Sequence, residues 1–140
     1  MASRAIDVVA ALVWREGRLL VTQRLQGSHL GGLWEFPGGK IEPGEEPDAA
    51  LVREVREELA IEIAVGPLRE EVVHAYPEKT VRLRFFDCSW IAGEARHLAV
   101  ADHRWVARDE LAGLEFPPAD QALLAGLESR FAPLLPPARA

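Results

Sequence analysis

The segment GGKIEPGEEPDAALVREVREELAI, residues 38–61, decides how this chain is read. It opens on two adjacent glycines, which admit close approaches of ligand or backbone that a side chain forbids. From Pro47 the spacing turns helical, with Leu51, Val52, Val55 and Leu59 forming one apolar stripe through Leu59. Pro47 suits the first turn of such a helix. Beside the stripe, Glu54 and Glu58 stand four residues apart and Glu57 three from Glu54, so three carboxylates project from one side. Taken alone, a solvated face on which Arg53 and Arg56 balance the acids accounts for such a stretch.

The register upstream changes that balance. Gly39, five residues, Glu45, seven residues, and then Arg53-Glu54-Val55-Arg56-Glu57-Glu58 follow one another without a gap. The segment resembles the Nudix box: glycine, five residues, glutamate, seven residues, then Arg-Glu-aliphatic-any-Glu-Glu-any-Gly-aliphatic. Matching six fixed and two aliphatic positions by chance has a probability on the order of 10⁻⁸ per starting point at average residue frequencies. One position departs, because Ala60 stands where the pattern has glycine. A Cβ disfavours the left-handed conformation, so the expectation is that the helix ends by another route, with a cost of about 1 kcal/mol if the geometry is kept.

The resemblance implies an α/β domain of Nudix fold, a mixed β-sheet between helices, over residues 1–132, with a proline-rich tail at 133–140. It implies a hydrolase in which Mg²⁺, or Mn²⁺ in its place, is held by Glu54, Glu57, Glu58 and the carbonyl of Gly38. Glu54 takes the proton from the attacking water, and Arg53 orients Glu45 or Glu57. The chemistry suits these residues: a hard divalent cation takes oxygen ligands from a few carboxylates and from substrate phosphates. It also acidifies water and neutralises charge on phosphoryl oxygens.

Within the family the likeness is to MutT-type enzymes, which clear oxidised or modified nucleoside triphosphates. It rests on Gln23-Arg24, His29, the run from Trp34 to Lys40, the box, and Phe116-Pro117-Pro118-Ala119-Asp120. The implied contacts are Arg24 and His29 toward sugar and phosphates, Glu35, Phe36, Pro37 and Gly38 along the pocket, and Asp120 at the polar edge of the base. Other roles stay open for several of these. Phe36 and Trp34 suit a core, Arg24 a solvated strand end, His29 an exposed loop, and Lys40 either a phosphate or bulk solvent. MutT has asparagine where Asp120 stands, and the CTP pyrophosphohydrolases have aspartate in a similar context. MutT-like enzymes often carry a further acidic metal ligand where this chain has Ala99, with Glu94 or Asp102 as substitutes. Tyr76 and Pro77 do not discriminate between substrates. His74, His97 and His103 show no metal-ligand spacing and receive no role.

Along the rest of the chain, residues 6–14 and 19–24 read as strands joined by a turn at Gly17. Residues 72–75, 80–91 and 103–106 read as further strands. A last helix after Pro118 buries Leu123, Leu124, Leu127 and Phe131. At 140 residues this is one core. The net charge of -6 argues against sequence-independent binding to nucleic acid. A single cysteine, Cys88, and no apolar run of bilayer length make the expectation a cytoplasmic protein; the resemblance implies a monomer or homodimer with a small-molecule nucleoside triphosphate as partner. The alternatives are a Nudix hydrolase of ADP-ribose or dinucleoside polyphosphates, and a catalytically silent nucleotide-binding module.

Overall fold

A computed structural model describes residues 5–121 and 123–126. The strands are β1 (Ala5–Arg15), β2 (Arg18–Gln23), β3 (Trp34–Glu35), β4 (Gly38–Lys40), β5 (Glu62–Ala75), β6 (Thr80–Ala92) and β7 (Asp102–Val106). Helix α1 spans Pro47–Leu59, a 3₁₀ turn covers Arg108–Gly113, and residues 118–121 and 123–126 are helical and are labelled α2. One mixed sheet holds all the strands, in the order β3-β2-β1-β6-β5, with β4 pairing β1 and β7 pairing β2.

β1 is the axis of the molecule. It pairs in parallel with β6 from Ala5↔Thr80 to Trp14↔Ser89 and antiparallel with β4 and β2 on its other edge. The apolar run 8–14 is therefore continuous rather than alternating, because both faces of β1 are covered. Val9, Ala11 and Val13 pack under Leu51, Val55 and Leu59 of α1. Ala10, Leu12 and Trp14 face the opposite layer with Phe36, Phe85, Phe116 and Leu123. The helices thus cover opposite faces of the sheet, as the expected fold class requires. Each fully buried leucine contributes roughly 1.5–3 kcal/mol of transfer free energy.

The hairpin between β1 and β2 closes Arg15 against Arg18 through Glu16 at φ +52° and Gly17 at φ +78°. Two left-handed residues are the geometry that matches strand twist in a two-residue turn.

Two expectations change. β5 begins at Glu62 rather than at residue 72. Gly66-Pro67 reads as a break, yet at the sheet edge a proline interrupts no inner ladder, and the strand absorbs it through register shifts between Val65 and Leu68 and between Leu68 and Glu70. The stretch after residue 33 forms the short strands β3 and β4. Ala60 does adopt the left-handed conformation, φ 61° and ψ 32°, with its N–H on the Arg56 carbonyl at 2.9 Å. The helix keeps the ending that the glycine normally provides. Leu127, Phe131 and the tail 133–140 lie outside the described residues. Among the described residues no helix is long and apolar enough to cross a membrane.

Candidate active site

α1 and β4 meet edge to face, and that meeting builds the carboxylate cluster. A Cβ on Gly39 would overlap the Glu54 carboxylate, and one on Gly38 would overlap the Val9 carbonyl oxygen. Gly38 is therefore required by the closeness of the two strands, and Gly39 leaves the Glu54 carboxylate the place it occupies. Glu54 and Glu58 act on each other electrostatically, and the Gly38 backbone lies against Glu58. Burial, with the charges of Glu35 and Glu54 behind it, pushes the Glu58 carboxyl up to about 9. Burial also raises Glu54, against the pull of Arg53. The pair accordingly retains a proton at neutral pH. Glu58 Oε1 is buried and has no hydrogen-bond partner.

Arg53 is the organiser. It grips Glu45 with Nε at 2.7 Å and Nη2 at 3.0 Å, reaches Glu54 at 3.1 Å and Glu57 at 3.2 Å, and donates to the Lys40 carbonyl at 3.2 Å. This fork holds Glu45 below the ordinary carboxylate range and raises the guanidinium in return. The alternative posed by sequence, Glu45 or Glu57, resolves to both. Glu57 is largely exposed and turned to Arg53, so its carboxylate does not converge with those of Glu54 and Glu58 in this structure.

A cavity of about 430 Å³ opens beside the pair. Arg24, His29, Glu35, Phe36, Gly38 and Asp120 line it together with Glu58. Arg24 is already occupied, with Nη1 on Glu35 at 2.9 Å and Nε on the His29 carbonyl at 2.6 Å. Phe36 is buried, stacked on Phe116 at 5.3 Å and edge-on to Phe85, so it serves the core and the cavity wall at once. Trp34 belongs to the core, with Arg104 over its ring at 4.9 Å. Lys40 and Pro37 do not line the cavity: Lys40 is exposed at the end of β4, and Pro37 is buried with its carbonyl on the Ala11 N–H.

Asp120 is only 6% exposed. Burial first and the Glu35 charge second push its carboxyl up to about 7, with Arg24 opposing. Glu35 itself is raised by burial. Three carboxyl groups, Glu35, Glu58 and Asp120, thus share one cavity with the Arg24 guanidinium and the Lys79 ammonium, and the excess of acid favours protonation or a cation.

Sequence reasoning assigned no role to Tyr76, yet it lines the cavity, edge-on to His29 at 6.1 Å and to His74 at 4.5 Å. The β5–β6 connection carries it there, and only long-range pairing reveals that. Ala99 also lines the cavity, and neither proposed acidic substitute does. Glu94 is clamped by Arg15 at 2.9 Å, and Asp102 faces His97 and His103. His97 and His103, which show no metal-ligand spacing in sequence, are brought together by the loop after β6, with ring nitrogens 2.9 Å apart.

Residues 8–126 match the family model described as NUDIX domain, and the chain belongs to that family. It is 39% identical over 124 residues to the CTP pyrophosphohydrolase of Escherichia coli K12, covering 86% of this chain and 90% of that protein. It is 34% identical over 125 residues to the 8-oxo-dGTP diphosphatase of Haemophilus influenzae, covering 89% and 92%. The crystal structure of the MutT protein from Methanosarcina mazei Go1 superposes with a TM-score of 0.83 at 26% identity, covering 94% of this chain and 99% of that one.

Proposed function

We propose that this Nudix hydrolase splits nucleoside triphosphates into nucleoside monophosphate and pyrophosphate, acting on modified or oxidised nucleotides such as 8-oxo-dGTP and on CTP or 5-methyl-dCTP. The observation that carries the reading is the buried Glu54–Glu58 pair, with the orphaned Glu58 Oε1, at the mouth of a nucleotide-sized cavity. The names borne by the bacterial relatives support the substrate class.

The donor set fits a hard divalent cation. An all-oxygen cluster that keeps a proton against its usual acidity, and a buried carboxylate oxygen without a partner, both mark a place for positive charge. Glu54, Glu58, the Gly38 carbonyl and, after rotation away from Arg53, Glu57 would hold Mg²⁺ or Mn²⁺. When bound, the ion neutralises the phosphate oxygens and acidifies the attacking water. Glu54 accepts a proton from that water as its oxygen bonds to phosphorus and the bridge between the α and β phosphates breaks. Arg53 keeps Glu54 aligned and touches no reacting atom. Arg24 and His29 face the sugar and phosphates, and Phe36 and Tyr76 wall the base, whose polar edge meets Asp120.

Glu54→Gln and Glu58→Gln each preserve volume and should reduce turnover by at least a hundredfold with the fold intact, measured by pyrophosphate release with coupled pyrophosphatase. Turnover within a few-fold of wild type would remove that residue from the reacting centre. A panel including ADP-ribose and dinucleoside polyphosphates separates the substrate classes. A catalytically silent module would turn over none of them.

A further inference from the structure

Outside the carboxylate cluster, His97, Asp102 and His103 offer one ligand atom each within 4.8 Å of one another. His97 Nε2 lies 2.9 Å from His103 Nδ1 and 3.8 Å from Asp102 Oδ1. Asp102 is held in place because the same oxygen accepts the His103 backbone N–H at 2.8 Å. The rings stand at 65° with centroids 5.1 Å apart, and the two nitrogens now share a hydrogen bond that an ion between them would replace. His97 is exposed and the other two half-buried, which leaves an open side for a water.

We propose that His97, His103 and Asp102 form a second metal site, for a borderline-soft divalent ion of the Zn²⁺ class. Two imidazoles and a carboxylate with one open position suit a tetrahedral zinc ion, whereas Mg²⁺ prefers an octahedron of oxygens. Zinc–nitrogen bonds of about 2.0–2.1 Å at a tetrahedral angle place two nitrogens about 3.3 Å apart. The rings need to separate by only a few tenths of an ångström, which an exposed loop histidine accommodates.

The position gives the ion a mechanical consequence. Three N–H groups of the loop that carries His97 close the end of α1: Arg96 on the Leu59 carbonyl at 2.8 Å, and Leu98 and Ala99 on the Glu58 carbonyl at 3.1 and 3.3 Å. Asp102 and His103 belong to β7, which pairs along β2. An ion bound across them ties the loop, the end of the helix bearing Glu58 and the cavity wall at Ala99 to the sheet.

The test is calorimetric titration of wild type with Zn²⁺ in saturating Mg²⁺, repeated on His97→Ala, His103→Gln and Glu58→Gln. Wild type and Glu58→Gln should bind one equivalent, while each histidine variant binds at least tenfold more weakly. Replacing Zn²⁺ by Co²⁺ should give the strong visible absorption of a four-coordinate ion in wild type but not in His97→Ala. At a hundredfold excess over Kd, Zn²⁺ should raise the wild-type Tm by about 8 °C, and at the same Zn²⁺ concentration the rise in His97→Ala should be no more than about half as large. No Zn²⁺ binding by wild type, binding unchanged in His97→Ala, or binding lost only in Glu58→Gln would each overturn the proposal. His97 is exposed, so its replacement keeps the test valid even if His103→Gln fails to fold.

Discussion

If Asp120 meets the base as proposed, its buried carboxyl can read it in two ways. With its acidity near neutrality, set mainly by burial, it exists as acid and as carboxylate across the physiological range. The acid can donate and accept, as an amide does, and so can meet both O6 and N7–H of 8-oxoguanine. The carboxylate only accepts and suits the exocyclic amine of cytosine. As pH falls from about 8 to about 6, the ratio of kcat/KM for 8-oxo-dGTP to that for 5-methyl-dCTP should rise by up to roughly tenfold. In Asp120→Asn the ratio should be flat, and a wild-type ratio that does not move with pH would remove Asp120 from base reading. Glu58 yields a stability prediction. Burial pushes its carboxyl from about 4.5 up to about 9, so without metal the stability it permits is fully present below about 4.5 and is lost progressively as pH rises from there to about 9. Glu58→Gln should therefore melt a few degrees above wild type in EDTA at pH 8 and match it near pH 4. Equal melting temperatures at pH 8 would mean that Glu58 is not a strained carboxyl.

On α1, the residues that matter are those a sequence displays most openly. Leu51, Val55 and Leu59 are fully buried and Val52 half-buried, as the 3.6-residue spacing predicts, because amphipathicity is a local property of one helix. Arg53 and the box glutamates were legible for the same reason, with Glu45 brought to Arg53 by the fixed reach of the loop. The ending of α1 was misjudged, because the cost of a left-handed alanine was weighed without the loop N–H groups that bond the Glu58 and Leu59 carbonyls. Those bonds hold Ala60 in place against its own preference. Ala60→Gly should consequently gain about 1 kcal/mol, or ~3–5 °C in Tm, with activity unchanged. A thermal shift in the opposite direction would mean that the left-handed geometry is not retained in solution.

The whole molecule joins distant segments, and there the sequence was least informative. The parallel pairing of β1 with β6, the full length of β5 and the arrival of Tyr76 at the cavity depend on contacts across many tens of residues, which periodicity cannot register. The meeting of His97 with His103 is short in sequence but crosses from a loop into a strand, so no helical or turn spacing announces it. What the assembled fold accomplishes is to set a carboxylate pair, organised by Arg53, at the edge of a cavity of about 430 Å³ that we propose takes the nucleotide. The central claim is the bond that is cut, and the direct measurement is product analysis of 8-oxo-dGTP and CTP turned over by the wild-type protein in Mg²⁺, resolved by anion exchange. The account predicts nucleoside monophosphate and pyrophosphate in equal amounts from both. Nucleoside diphosphate with inorganic phosphate, or no turnover of either substrate, would contradict it.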